Sequence, residues 1–173
     1  VEEHEASALT AFFHDQCSRF LAWAQAETAH RADRDQGLGA LAFPYPEFRV
    51  GQRELAQAVW RAAAHPHDLM AQAPTGIGKT VATLFALLKA VPSQRLDKVF
   101  FLTAKTPGRQ LALDALVRLR ADPAGGASRP LRVLELVARE KACEHPDKAC
   151  HGDSCPLARG FYDRLPQARA QAL

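Results

Sequence analysis

The sequence predicts an α/β protein with a parallel sheet and flanking helices. Short apolar runs at residues 69–72, 99–103 and 131–137 alternate with helical patterns long enough to cross between parallel strands. A glycine-containing stretch at 73–80 lies between the first of these runs and a helix, where α/β proteins place phosphate ligands. A polar, cysteine-bearing tail after Arg139 stands apart from the alternation.

The 173 residues, 47% hydrophobic and 24% charged, suit one ordinary globular domain. The net charge is +3, and arginine supplies 16 of the 22 cations, a composition suited to phosphate contacts. No run approaches the roughly 18 apolar residues of a membrane span. The first residues carry Glu2, Glu3, Glu5 and Asp15 instead of a basic, apolar leader, so a cytoplasmic protein without membrane contact is expected. Val1 opens the chain without Met, and Leu173 closes it in an Ala-rich run, so it reads as a fragment.

Along residues 1–35, Leu9, Phe13, Cys17, Phe20 and Ala24 recur at three- and four-residue steps, predicting a long amphipathic helix with Cys17 as a small core thiol. Charges, Gly37 and Gly39, and then Pro44 and Pro46 mark a boundary between 31 and 49. A helix resumes at Gly51 with Leu55, Ala58, Val59 and Ala62 on one face and ends near Pro66. Val81, Leu84, Phe85, Leu88 and Val91 mark the next helix, which Pro92 should break. Leu113, Leu116 and Val117 mark another, before a turn at 122–126. In the tail, Leu157, Phe161 and Leu165 form the stripe of a helix expected to start near Pro156.

The stretch Ala73, Pro74, Thr75, Gly76, Ile77, Gly78, Lys79, Thr80 fits GxxxxGK[ST] except for Ala at the first glycine. In that setting successive backbone N–H groups and a helix N-terminus converge on an anion. Lys79 would meet the β- and γ-phosphates, and the Thr80 hydroxyl would hold Mg²⁺. At the end of the second apolar run, Thr103, Lys105, Thr106 and Arg109 offer hydroxyls and cations to a single-stranded DNA backbone, although a helix capped by Thr106 explains the same residues.

Cys143, Cys150 and Cys155 follow the pattern Cx6Cx4C, with Pro146 and Gly152 supplying turns. Crowded reduced thiols point to a metal more than to a disulfide in a cytosolic protein. Three thiolates are an incomplete set. Zinc completed by His145 or His151, or an iron–sulfur cluster with a further cysteine, both satisfy the spacing.

The run PYPEFRVGQRELAQAV, the loop APTGIGKTVATLFALLKA, the segment FLTAKTPGRQ and the cysteine segments VAREKAC and SCPLARGFYDRL occur in an order that resembles bacterial XPD/DinG-like superfamily 2 iron–sulfur DNA helicases. The resemblance covers about residues 35–173. It implies a RecA-like motor domain, begun at 36–138 after an N-terminal helical segment at 1–35, with a [4Fe–4S] insert starting at 139–173. It also implies that Gln52 contacts the adenine edge, with Arg49 and either Tyr45 or Phe48 nearby. Cys143, Cys150 and Cys155 become cluster ligands, the fourth lying beyond residue 173, and Arg139 joins the DNA contacts.

A monomeric ATP- and Mg²⁺-dependent helicase is thereby implied, moving 5′→3′ on single strands and acting at duplex junctions in DNA repair. The acidic motif and second motor domain that hydrolysis requires lie outside these residues, so no turnover is expected from them alone. The residues themselves also admit a non-helicase P-loop ATPase with a zinc knuckle, or a short non-catalytic DNA-binding module.

Overall fold

Rich in alanine and without proline before Pro44, the N-terminal sequence winds into one long helix, α1 (Ala6–Gly39). In the computed structural model, which describes residues 4–65, 67–104, 106–121 and 129–171, it is followed by α2 (Gln52–Ala64), α3 (Lys79–Gln94), α4 (Thr106–Arg120), α5 (Arg139–Ala142) and α6 (Phe161–Gln171). The chain forms two compact units, Val1–Pro130 and Leu131–Leu173. No helix among the described residues is long and apolar enough to cross a membrane.

In the first unit α3 is the central element, because apolar and small residues cover most of its surface. Val81, Ala82, Leu84, Ala86, Leu88, Ala90 and Val91 are all buried. Helix α2 lies against it through Ala56 and Val59, which meet Ala82 and Ala86, with Phe48, Leu55 and Leu87 closing the contact. The small side chains let the two backbones approach closely. Helices α4 and α1 also pack on α3, burying Ala112, Ala115 and Leu119 from the one and Leu38 from the other.

Three expectations shift. Helix α3 runs past Pro92 to Gln94. A proline this near the end forfeits one backbone bond, the one that Leu88 O would accept, and the helix continues for two more residues. Helix α6 begins at Phe161 instead of Pro156, because Gly160 takes a positive φ of 61° that interrupts helical winding. On α1, Cys17 is half-buried, while Leu9, Phe13 and Phe20 are each more than half exposed. The apolar stripe is present, but its N-terminal part has no covering element among the described residues.

The three apolar runs expected as strands are not paired into a sheet among the described residues. Strands of a parallel sheet bury both faces, whereas Met70, Phe100, Leu102, Leu134 and Leu136 lie exposed. The helical half of the α/β alternation is thus what the structure shows. The turn expected at 122–126 and Pro66 fall outside the described residues.

Candidate functional site: the loop before α3

The loop at 73–80 is shaped by two glycines. Gly76 and Gly78 take φ of 87° and 81°, values that cost a residue with a Cβ about 1–2 kcal/mol. Gly78 is the N-cap of α3, so the loop delivers its chain directly into a helix start whose first N–H groups lack helical partners. Lys79 and Thr80 are the first two residues of that helix.

Around this turn the structure gathers most of the residues singled out in the sequence. Lys79 Nζ folds back on the loop and donates to Ala73 O at 3.0 Å and Pro74 O at 2.7 Å. Arg49, from the turn before α2, donates through Nη1 to Gly76 O. Gln52 is 3% exposed and spans the gap between α2 and the loop. Its Oε1 accepts from Arg49 N at 3.0 Å, and its Nε2 donates to Gly78 O at 3.3 Å. A Cβ on Gly78 would strike that amide nitrogen, so a larger residue there must displace the end of the Gln52 side chain in addition to bearing the strained φ.

Phe48 and Tyr45, one or other of which is expected near a base, belong to an aromatic cluster. Phe48 stacks on Phe43 with centroids 3.8 Å apart, Phe85 meets Phe43 edge-on at 5.3 Å, and the Arg53 guanidinium lies 4.7 Å from the Phe48 ring centre. The Tyr45 hydroxyl accepts from Arg118 Nη1 at 2.7 Å. This packing fixes the proline-containing lead against α3 and α4, and so fixes the turn that carries Arg49.

Thr103 lies beside the first turn of α4, where a Cβ on Gly108 would collide with its hydroxyl oxygen. Thr103 is exposed and Arg109 half-buried. Thr106 opens α4, and Lys105 is outside the described residues.

The second unit carries Arg139 and the three clustered cysteines. Arg139 is exposed and pairs with Glu140 at 3.6 Å. Cys143 ends α5 half-buried, Cys150 is exposed, and Cys155 is buried. Among the described residues no group of three or more His, Cys, Asp or Glu side chains is placed to hold a metal ion. The donor chemistry suits zinc or iron–sulfur, but the arrangement of the thiols does not fit either as it stands. The turn that follows is held by Arg164, whose Nη2 donates to Leu157 O at 3.0 Å and Arg159 O at 2.8 Å.

Sequence reasoning missed one contact of consequence. Lys89 Nζ donates to Gly39 O at 2.6 Å and Leu41 O at 3.0 Å, fastening the end of α1 to α3. The available signal was a cation in the middle of the apolar run of α3, the one lysine of that helix beyond its first residue.

A family model for the DEAD/DEAH box helicase matches residues 53–144. The matched segment holds the loop, α3, α4 and Cys143. No curated protein and no solved structure matches the chain.

Proposed function

The chain belongs to the DEAD/DEAH box helicase family, whose members use ATP and Mg²⁺ and act on nucleic acid, and we propose that it is the ATP-binding part of an iron–sulfur DNA helicase. The observation that carries this reading is the turn at 73–80, where two left-handed glycines lead into α3 and put Lys79 and Thr80 at the helix start. On nucleotide binding the Lys79 ammonium exchanges Ala73 O and Pro74 O for β- and γ-phosphate oxygens. The Thr80 hydroxyl would hold Mg²⁺.

The finer parts rest on the sequence resemblance. They are a RecA-like parallel sheet, DNA as the nucleic acid, 5′→3′ movement, a role in repair at duplex junctions, monomeric action in the cytoplasm of a bacterium, and a [4Fe–4S] cluster on Cys143, Cys150 and Cys155. Thr103, Lys105, Thr106, Arg109 and Arg139 are the proposed DNA contacts. No step of the ATP reading runs through the cluster.

Titration with a fluorescent ATP analogue tests the reading. Mg²⁺-dependent binding is expected, weakened at least tenfold by Lys79→Ala, the loss expected for a charge-assisted hydrogen-bonding partner. No phosphate release should accompany it, because the 173 residues hold no acidic motif of the helicase type. Equal affinity in the parent and Lys79→Ala chains would sink the assignment.

A further inference from the structure

We propose that α1 is a self-association surface, along which a second copy of this chain lays its own α1 in the antiparallel direction. The proposal goes beyond the nucleotide reading and uses no residue of the loop at 73–80, so each paired motor still acts singly.

Leu9, Phe12, Phe13, Phe20, Leu21 and Trp23 are each more than half exposed on α1. Within this face Leu9, Phe13, Gln16, Phe20 and Trp23 follow one another at alternating four- and three-residue steps, the spacing of a seam between paired helices. A buried aromatic side chain covers about 150–250 Å², so at these exposures the face offers roughly 550–800 Å² of apolar surface. The largest apolar patch on an ordinary monomer is about 300–600 Å², whereas each partner of a stable interface contributes about 800 Å².

The face continues one that α1 already buries. Phe20 and Leu38 stand about five helical turns apart and so share a side of the helix, and Leu38 is buried where α1 packs on α3. The rest of the first unit holds only this end: Lys89 bonds Gly39 O and Leu41 O, and Arg31 and Arg34 meet Asp97. A parallel partner would crowd two such bodies at one end of the pair, and an antiparallel partner sets them at opposite ends.

A register centred on Cys17 overlaps residues 6–28 of the two copies and stops short of the Asp97 contacts. There Asp15 of one copy stands opposite Arg19 of the other, two charges that pair within the chain at 2.9 Å. Parallel pairing would set each charge against its like. A second copy therefore matches the face in length, in apolar character and in the order of its charges, as a two-fold contact requires.

Sedimentation velocity of the whole chain tests this. A dimer that dissociates on dilution is expected, weakened at least tenfold by Phe13→Ser or Phe20→Ser, as for aromatic anchors at the centre of an interface. Leu102→Ser, which removes an exposed apolar side chain away from α1, should leave the affinity unchanged. A short thiol cross-linker should join Cys17 to Cys17, identified by peptide mapping.

A chain that stays monomeric up to about 100 μM overturns the proposal and leaves the face to a different protein or segment. A dimer that survives both phenylalanine changes, or that is lost with Leu102→Ser, places the contact elsewhere and overturns it too. Cross-links that spare Cys17 overturn the antiparallel register. Should a phenylalanine variant lose helicity by circular dichroism, Trp23 fluorescence in the Trp60→Phe chain decides: its emission should shift to the red on dilution, and constant emission overturns the pairing.

Discussion

At the scale of single residues, the two loop glycines are unequal, and the difference is measurable. Gly76 and Gly78 share a left-handed backbone, so alanine at either costs about 1–2 kcal/mol in strain. A Cβ at Gly76 meets open space, whereas one at Gly78 strikes Gln52 Nε2 and must displace a buried amide from its acceptor. Gly78→Ala should therefore destabilise the chain by about 1 kcal/mol more than Gly76→Ala, the net value of the displaced hydrogen bond. Urea denaturation of both variants checks this, and equal midpoints would mean that Gln52 does not brace Gly78. The glycine pattern and the lysine were legible in the sequence because a phosphate loop has a fixed local spelling. The partners of Gln52 were not, since an amide that bridges 26 positions depends on how α2 lies against the loop.

Among elements, periodicity identified the helices of the first unit, but the covering of each face was beyond it. The stripe Leu9, Phe13, Cys17, Phe20, Ala24 lies on α1 as expected, yet burial on α1 is concentrated near its end, at Leu38. That end is fastened by Lys89 on Gly39 O and Leu41 O, by the Arg31–Asp97 pair at 2.8 Å and by Arg34 Nη1 on Asp97 O at 3.4 Å. The Arg31–Asp97 pair is largely solvated and adds little, so Lys89 is the stronger tie. Lys89→Met keeps the aliphatic stem but leaves both carbonyls to water, and should cost about 1 kcal/mol. Hydrogen exchange should quicken at residues 36–42 while the α2–α3 contact keeps its protection. Unchanged exchange there would show that packing of Leu38 and Leu41 holds the joint unaided. The apolar runs at 69–72, 99–103 and 131–137 carry strand composition, but strand pairing is a property of neighbours at long range, which composition does not specify.

For the whole molecule, the contrast between the two units points to what the cysteine-bearing one requires. The first unit has a core distributed over four helices, whereas in Leu131–Leu173 Cys155 is the one buried hydrophobic among the described residues. A unit of about 40 residues with so little apolar burial ordinarily depends on a metal or a cross-link. Three thiols at 143, 150 and 155 offer donors that the structure does not gather, so the proposed cluster would have to draw the loop between Cys143 and Cys155 together. Protein that also carries the fourth ligand the proposed cluster needs, prepared without oxygen with iron and sulfide, should acquire visible absorbance and acid-labile sulfide, and should then resist proteolysis in 131–171 without change in 4–121. Cys143→Ser, Cys150→Ser and Cys155→Ser should each abolish all three effects, and a chelator should restore cleavage of the loaded parent. Zinc bound without sulfide, and released by replacement of His145 or His151, would transfer the site to the zinc alternative. Equal protease resistance with and without metal would remove the metal from the folding of this unit, leaving Cys155 as an ordinary packed thiol.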